Sequence, residues 1–176
     1  MEKQVAIFCA GSVKIDSKYN EAAREVVRAL HFLGYTLVSG GGNRGTMGAV
    51  TSESVKVGGR HIAVIPEFLR GMENPDLKEV VWTPDMASRK ARMREGTCAV
   101  IALPGGIGTM DELIETQVLR KLDRYRGRIF ALNLDGYYNP FIALLDHYVE
   151  TRMMEPQDRE LICFPGTVEE LISYFK

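Results

Sequence analysis

The sequence PGGIGTMDE, at residues 104–112, separates two segments of different periodicity. The apolar run CAVIAL precedes it at 98–103, and apolar side chains recur at helical spacing from 110 to 122. The nonapeptide is therefore predicted to be a strand-to-helix turn. Three glycines in four positions leave its backbone free of side chains, and the first N–H groups of the following helix have no partner inside the helix. Such a turn is predicted to bind an anion, phosphate above all.

The first turn of the predicted helix also carries a carboxylate, Glu112. Beside a phosphate site, this carboxylate could take part in catalysis. The spacing Thr109-x-x-Glu112 equally matches a capping box, in which the glutamate only accepts a hydrogen bond from the Thr109 N–H. The sequence leaves both interpretations open. Asp111 is interpreted as a surface acid that the helix dipole favours. A P-loop is excluded because no lysine follows the glycines.

The composition is that of an ordinary globular protein. The chain has 176 residues, of which 45% are hydrophobic and 26% charged, and its net charge is −1. We expect a single domain, 1–176, with no general attraction to nucleic acid or to a membrane. No signal peptide or membrane-spanning run is evident. Three cysteines lie in apolar, strand-like runs and are predicted to be buried free thiols in a reducing cytoplasm: Cys9, Cys98 and Cys163.

A second glycine-rich turn, SGGGNRGTMG at 39–48, lies between a predicted strand at 35–38 and a predicted helix at 49–57. Its GxGxxG match formally fits the dinucleotide fingerprint. The following strand, however, ends in Pro66 without a carboxylate at its tip, where a ribose-binding acid is expected. A single nucleoside phosphate is therefore predicted rather than NAD, and no cofactor is expected. Arg44 in this turn could reach an anion, although exposed loop arginines are common.

A predicted helix at 85–96 has a cationic stripe where an apolar one is expected. One face carries, at positions i, i+3, i+4 and i+7, the side chains of Met86, Arg89, Lys90 and Met93. Either the two cationic stems lie along apolar surface with their heads in water, or Arg89 points into a polar site as a ligand for an anion or a transition state. Arg92 and Arg94 face elsewhere and are expected to be solvated.

The order of the predicted elements indicates the fold class. Strands and helices alternate along the whole chain, which predicts an α/β, Rossmann-like, doubly wound parallel sheet with helices on both faces. Ligands of such sheets bind at the carboxyl ends of the strands, near a switch point. Both glycine-rich turns lie at such ends, so we expect them to flank one pocket. Three histidines without metal-like spacing are interpreted as structural or surface residues: His31, His61 and His147.

Four motifs resemble those of one family. The pattern PGGxGTxxE at 104–112 is the signature of the Lonely Guy (LOG) family, whose members are cytokinin riboside 5′-monophosphate phosphoribohydrolases and are often mislabelled as lysine decarboxylases. The glycine turn at 40–48, the MxxRKxxM pattern at 86–93 and the run LNLDGYYNP at 132–140 are also similar to the family. Between 116 and 128 the resemblance thins and the chain is basic. That stretch is either a solvated helix end or part of a base pocket or dimer contact.

The resemblance implies an N-glycosidase that converts a nucleoside 5′-monophosphate and water to free base and ribose 5-phosphate. Glu112 and Arg89 are then the expected catalytic residues, with Arg89 stabilising charge or positioning the substrate. The residues expected to bind substrate or phosphate are Gly105, Gly106, Gly108, Thr109, Lys90, Met86, Gly41, Gly42 and Ser12. No metal is expected, and the resemblance implies a homodimer. The base, whether adenine, a prenylated adenine or another, stays open.

Two other functions remain as alternatives. Proteins of similar fold and glycine motifs carry nucleotides or molybdenum cofactor without turnover, and such a carrier needs the phosphate turns but not the Arg89 and Glu112 pair. The presence of both residues favours the enzyme. A pyridoxal-phosphate-dependent lysine decarboxylase is disfavoured, because the chain is short for such an enzyme and no lysine stands out for the Schiff base.

Overall fold

The computed structural model describes residues 3–176, which form one parallel sheet with helices on both of its faces. The strands are β1 (Gln4–Phe8), β2 (Thr36–Ser39), β3 (His61–Pro66), β4 (Glu79–Thr83), β5 (Thr97–Ala102), β6 (Arg128–Ala131) and β7 (Ile162–Cys163). The α-helices are α1 (Ser17–Phe32), α2 (Gly45–Lys56), α3 (Met86–Arg94), α4 (Ile107–Lys121), α5 (Asn139–Glu150), α6 (Pro156–Arg159) and α7 (Val168–Ser173). Across the described range, no helix has the length and apolarity that spanning a membrane requires.

The strand order is β4-β3-β2-β1-β5-β6-β7, and every pairing is parallel. The chain moves outward from β1 to the edge strand β4. It then crosses back through α3 to β5 on the other side of β1. The switch point therefore lies between β1 and β5, where the connections that follow these two strands diverge. This topology confirms the predicted Rossmann-like, doubly wound α/β fold.

The core has two parts, one on each face of the sheet. Val5 and Ile7 of β1 belong to the part that packs against α1 and α7, whereas Ala6 and Phe8 belong to the part on the opposite face. Successive side chains of a strand point to opposite faces, so a strand covered on both sides needs apolar residues throughout. This requirement explains the uninterrupted apolar run at the start of the chain.

Helix α2 begins at Gly45, four residues before the predicted start at 49. The glycine at position 48 was interpreted as part of the turn, but it lies inside the helix. A Cβ at Gly48 would come within 2.6 Å of the Asn43 carbonyl oxygen. Close packing, rather than a turn, therefore explains this glycine. The short helix α6 and two 3₁₀ turns, Glu67–Leu69 and Leu134–Gly136, were not predicted.

The prediction that all three cysteines are buried is correct only for Cys9. Cys98 is exposed and Cys163 is partly buried. The reason for Cys98 is a shift in register between β1 and β5. Gln4 pairs with Thr97 and the next residue, Val5, pairs with Ala99, so Cys98 is skipped. A residue bulged out of a strand pair in this way loses its place on the covered face of the sheet.

Candidate active site

The structure joins the two predicted catalytic side chains. Arg89 projects from α3 and donates from Nη1 to Oε1 of Glu112 on α4, at 3.1 Å. Its Nε also donates to the Val64 carbonyl of β3, at 3.1 Å. Arg89 is only 7% exposed and Glu112 only 6%. The interpretation that the Arg89 head lies in water is therefore wrong, and the pair is a buried polar element beside the switch point.

The surroundings of Glu112 favour its neutral form. Burial raises the pKa of Glu112 to about 7, because the carboxylate loses the solvation that water provides. The positive charge of Arg89 acts in the opposite direction and offsets part of this effect. The carboxyl group can therefore change its protonation state near neutral pH, which is the property of a group that exchanges protons during a reaction.

The Arg89 guanidinium lies against the second glycine-rich turn. A Cβ at residue 40 would lie closer than 3.0 Å to Arg89 Nη2. Because Nε and Nη1 both donate hydrogen bonds, the guanidinium cannot move away from residue 40 without losing one of them. Residue 40 must therefore be glycine for Arg89 to keep this position. Gly40 was not among the predicted site residues, although the GGG run at 40–42 was a signal for it.

Helix α4 begins at Ile107, five residues before Glu112, so Glu112 lies in the second turn instead of the first; the N-cap is Gly106 without a side-chain capping bond. Thr109 is thus the third residue of the helix, and Glu112 faces Arg89 rather than the Thr109 N–H. The capping-box interpretation is therefore wrong. The N–H groups from Gly106 to Thr109 have no acceptor within an α-helix that starts here. They form the positive end of the helix dipole, next to the buried carboxylate.

The glycines of this turn have different roles. A Cβ at Gly106 or Gly108 would meet no atom of the described chain within 4 Å, so these two leave open space above the helix N-terminus. A Cβ at Gly105 would overlap with the Thr109 side chain, so that glycine permits close packing. Thr109 itself is buried, and its hydroxyl has no hydrogen-bond partner within residues 3–176. The turn therefore combines open space with unused donors.

A cavity of about 210 Å³ opens on the other side of Arg89. The second glycine-rich turn contributes Gly40, Gly42, Asn43, Arg44 and Met47 to it, and the remaining lining residues are Gly11, Ile65, Pro66, Leu69, Met72 and Arg89. The lining is mostly apolar, with arginine as its charged component. The Pro-Gly-Gly turn does not line this cavity, so the expectation that both turns flank one pocket holds only through the Arg89–Glu112 pair that lies between them.

The remaining predicted binding residues have varied surroundings. Gly41 is buried with φ +66°, and a Cβ there would overlap with that of Ala63, so it packs against β3 instead of lining the cavity. Gly42 lines the cavity and forms an antiparallel bridge with Glu73. Ser12 is exposed, and its hydroxyl accepts from the Lys14 N–H at 3.4 Å. Met86 is partly exposed at the start of α3. Of these four, only Gly42 contacts the cavity.

Lys90 and Arg94 connect α3 to α4. Lys90 Nζ lies 2.9 Å from Asp111 Oδ1 and also pairs with Glu115. Arg94 Nη2 lies 2.7 Å from the same Glu115 carboxylate, and Arg94 is 7% exposed. The expectation that Arg94 is solvated is therefore wrong, since a buried arginine is retained where a carboxylate pairs with it. Phosphate binding by Lys90 stays a prediction.

The histidines have structural surroundings, as predicted. His61 is buried in β3 with Nε2 2.7 Å from Ser39 Oγ, and burial lowers its pKa to about 3. The His31 ring bridges the Tyr35 carbonyl and the Ser54 hydroxyl, and His147 is exposed on α5. Within residues 3–176 no three side chains of His, Cys, Asp or Glu are grouped as a metal site would require.

Fold and site together define a Rossmann-like α/β protein that has a buried arginine–glutamate pair next to an open helix N-terminus. Residues 47–175 match the family model described as "Possible lysine decarboxylase". The chain is 40% identical over 173 residues to the probable cytokinin riboside 5′-monophosphate phosphoribohydrolase LOGL2 of Oryza sativa subsp. japonica, covering 97% of this chain and 70% of that protein. It is 38% identical to LOG3 of Arabidopsis thaliana, covering 97% and 80%. The chain belongs to the LOG family.

Solved structures share the fold at low identity. The molybdenum cofactor binding protein of Rippkaea orientalis superposes with a TM-score of 0.75 at 18% identity, covering 99% of this chain and 95% of that one. The molybdenum cofactor carrier protein of Chlamydomonas reinhardtii also has a TM-score of 0.75, at 16% identity, covering 99% and 96%. At such identities the likeness concerns the fold alone.

Proposed function

We propose that this chain hydrolyses the N-glycosidic bond of a nucleoside 5′-monophosphate, as the names of its relatives state for them. The observation that carries the proposal is the buried Arg89–Glu112 pair beside the open N-terminus of α4. One end of the site suits a phosphate, and its centre suits a reaction in which positive charge develops. A nucleoside 5′-monophosphate carries a phosphate group and, on the same ribose, the C1′ atom at which positive charge develops when the glycosidic bond breaks.

The 5′-phosphate is anchored at the start of α4 in this proposal. Gly106, Gly108 and Thr109 supply backbone N–H groups, the helix dipole favours the negative charge, and the Thr109 hydroxyl is a further unused donor. Open space above Gly106 and Gly108 admits the phosphate oxygens. No lysine is needed, which agrees with the absence of a P-loop lysine after the glycines.

Glu112 acts on the ribose. Cleavage of a glycosidic bond passes through a transition state that resembles an oxocarbenium ion, and a neighbouring carboxylate stabilises its positive charge. The water oxygen bonds to C1′ while the C1′–N bond breaks, and the bonding pair leaves with the base. Glu112 in its ionised form accepts the proton that the attacking water loses. The departing base takes up one proton from solvent, Glu112 then releases its proton to solvent, and ribose 5-phosphate is the second product.

Arg89 holds Glu112 in place and faces the cavity. A guanidinium group is a poor proton donor, so we assign Arg89 charge stabilisation and positioning. Its Nη2 makes no hydrogen bond within residues 3–176, although the side chain lines the cavity. The apolar lining from Met47, Leu69 and Met72 suits the faces of a purine. We therefore place the base in this cavity.

Two alternatives agree less well with the site. A Schiff-base lysine must be able to lose its proton. Lys90, the lysine next to Arg89 in the chain, has a raised pKa because Glu115 and Asp111 bind its ammonium group, which is the opposite of that requirement. A carrier without turnover would not need a buried carboxyl whose pKa is near 7. The test below distinguishes the carrier from the enzyme.

A homodimer is part of the proposal, and α4 and α5 supply a surface for it. Partly exposed apolar side chains line a groove of about 260 Å³ between these helices, among them Ile114 and Val118 of α4, Leu144 and Tyr148 of α5, and the following Met153. Contiguous exposed apolar surface of this kind marks an interface more often than free surface. A second copy on this surface would contact α4, the helix that carries Glu112. The three free cysteines fit a reducing compartment, and we propose a cytoplasmic location.

The test is base release by purified protein from AMP and from N6-isopentenyl-AMP, followed by chromatography. Glu112→Gln and Arg89→Ala are each expected to lower kcat/KM by at least about 100-fold. Asp111→Asn is the matched control, since it removes the neighbouring carboxylate, which is half exposed, and should retain most activity. Tight nucleotide binding without base release from any monophosphate would reject the hydrolase and leave the carrier.

A further inference from the structure

Two consecutive tyrosines hold the turn that precedes α4. Tyr137 donates its hydroxyl hydrogen to the Gly105 carbonyl at 2.8 Å, and Tyr138 donates to the Leu103 carbonyl at 2.7 Å. These carbonyls lie on either side of Pro104. The tyrosines belong to the run LNLDGYYNP, for which the proposed reaction has given no role. Both hydroxyls reach across to backbone atoms more than 30 positions earlier in the chain.

The segment that carries the tyrosines is itself fixed. Asn133 donates its backbone N–H to the Pro165 carbonyl at 2.8 Å and accepts from the Tyr138 N–H at 2.7 Å. The Tyr137 ring stands edge-on to Tyr19 at 5.4 Å and to Tyr138 at 5.1 Å. The Tyr137 hydroxyl is therefore positioned by contacts that do not depend on the Pro-Gly-Gly turn.

Peptide geometry links the Tyr137 hydroxyl to the opposite side of the turn. In a trans peptide the carbonyl and the following N–H point in opposite directions. The carbonyl of Gly105 faces Tyr137, so the N–H of Gly106 faces away from it. Between two glycines there is little steric resistance to rotation of this peptide plane. A hydrogen bond from outside the turn is therefore needed to keep the plane in one orientation.

We propose that Tyr137 is a positioning residue for the phosphate site: by binding the Gly105 carbonyl, it orients the Gly106 N–H toward the phosphate. This inference rests on the proposed function only in taking the start of α4 as the phosphate anchor. Tyr137 does not contact the substrate in this role, and its effect passes through one peptide group.

Tyr138 provides an internal contrast. Its hydroxyl binds the carbonyl of the Leu103–Pro104 peptide, which has no N–H because the next residue is proline. Tyr138 and Leu103 are both buried. Loss of the Tyr138 hydroxyl thus leaves a buried carbonyl without its partner and lowers stability. It does not change the direction of any N–H group in the phosphate site.

The experiment compares Tyr137→Phe, Tyr138→Phe and, as control, Tyr174→Phe, which removes a hydroxyl from a partly exposed tyrosine at the end of α7. Binding of ribose 5-phosphate is measured by calorimetry, and KM, kcat and Tm are measured with AMP. Tyr137→Phe should weaken ribose 5-phosphate binding and raise KM about fivefold, the effect of one neutral hydrogen bond, with kcat within twofold. Its Tm should fall less than that of Tyr138→Phe, because the Tyr137 hydrogen bond is only partly buried. Tyr138→Phe should lower Tm and leave KM unchanged.

Unchanged affinity in Tyr137→Phe overturns the proposal, and so does an equal loss of affinity for adenosine, which lacks the phosphate. A fall in Tm without a change in KM would show that Tyr137 is only structural. If wild type binds ribose 5-phosphate in a Tyr137-dependent way but releases no base, the inference stands and the proposed hydrolase fails. If wild type binds no phosphate ligand, the anchor at α4 and this inference both fail.

Discussion

The Arg89 guanidinium occupies the space in which the side chain of residue 40 would begin. A Cβ on Gly40 would overlap with Nη2, while Nε and Nη1 are held by the Val64 carbonyl and by Glu112. Gly40, the first glycine of the GGG run, thus leaves space for Arg89, which comes 49 positions later in the chain. Its contribution to the site is the room that it leaves for the Arg89 guanidinium.

Gly40→Ala should therefore reduce catalysis without removing any catalytic group. The added methyl group displaces the guanidinium and breaks its hydrogen bond to Glu112 or to Val64. We expect kcat/KM for AMP to fall about 100-fold, close to the effect of Arg89→Ala. Steady-state kinetics of the two single variants and of the double variant test this. The double variant should be little worse than Arg89→Ala alone, because both changes affect one interaction.

Gly11→Ala is the control for this prediction. Gly11 also lines the cavity, but a Cβ there meets no described atom within 4 Å. It should therefore retain near wild-type kcat, with any loss confined to KM because its methyl group enters the space assigned to the base. Additive losses in the Gly40→Ala/Arg89→Ala double variant would show that Gly40 acts independently of Arg89.

Gly108→Ala should separate stability from ligand binding. The new methyl group enters open space above the start of α4 and replaces a helical glycine, so the free energy of unfolding should rise by roughly 0.5–1 kcal/mol. The same methyl group fills the space assigned to phosphate, so KM for AMP should rise at least about tenfold. Urea unfolding and kinetics measure the two effects. Gain of stability with an unchanged KM would place the phosphate elsewhere.

Glu112 should make stability depend on pH in a definite direction. Its pKa is about 7 in the folded protein, against an ordinary value of 4.5, so the folded state binds the proton more tightly than the unfolded state. The contribution of Glu112 to the free energy of unfolding is present below pH 4.5 and is lost as the pH rises through 7. Relative to Glu112→Gln, wild type should lose up to about 1.4 kcal/mol per pH unit within this window. A pH-independent difference in urea unfolding would contradict the raised pKa.

Activity should change with pH in the opposite direction. Since the proposed reaction uses the ionised carboxylate, kcat/KM should rise with pH and level off above about 7. The profile is measured with AMP in buffers of constant ionic strength. In Asp111→Asn the inflection should move to lower pH, because the Asp111 carboxylate contributes to the raised pKa of Glu112. An activity that falls as the pH rises through 7 would show instead that Glu112 acts as an acid.

A single charged substitution tests the proposed dimer surface. Val118 is about half exposed on the outer side of α4, and Val118→Asp would place a carboxylate in the apolar groove. We expect sedimentation velocity to give the mass of one chain instead of two. Phe32→Asp is the matched control, because Phe32 is an exposed apolar residue on α1, outside the groove. If Phe32→Asp dissociates the dimer and Val118→Asp does not, the interface includes α1 and not the groove between α4 and α5.

The fold class followed from local patterns, whereas the strand order did not. The apolar run of β1 predicted a strand covered on both faces, and the structure confirms it. That β1 pairs with β5 as well as β2 depends on contacts between distant segments, which periodicity does not contain. The exposure of Cys98 has the same origin, since the bulge exists only in the pairing of β5 with β1.

The residues of the candidate site were likewise only partly predictable from local sequence patterns. The cationic stripe on α3 singled out Arg89, and the structure pairs it with Glu112; the catalytic roles of both stay predictions. The capping interpretation failed because the helix begins earlier, at Ile107, than the Thr-x-x-Glu spacing implied. Gly40 and Tyr137 were missed as functional residues because each acts on a group far away in sequence. The single-domain organisation also stays a prediction.

The position of β1 has a consequence for synthesis of the protein. This strand is made first but lies in the middle of the sheet, and its second neighbour, β5, ends at Ala102. Until the ribosome has delivered that residue, one edge of the apolar strand Gln4–Phe8 has no partner. An open apolar edge pairs readily with other chains. The period of synthesis before β5 is complete is therefore the one most prone to aggregation, and the one in which a chaperone would help most.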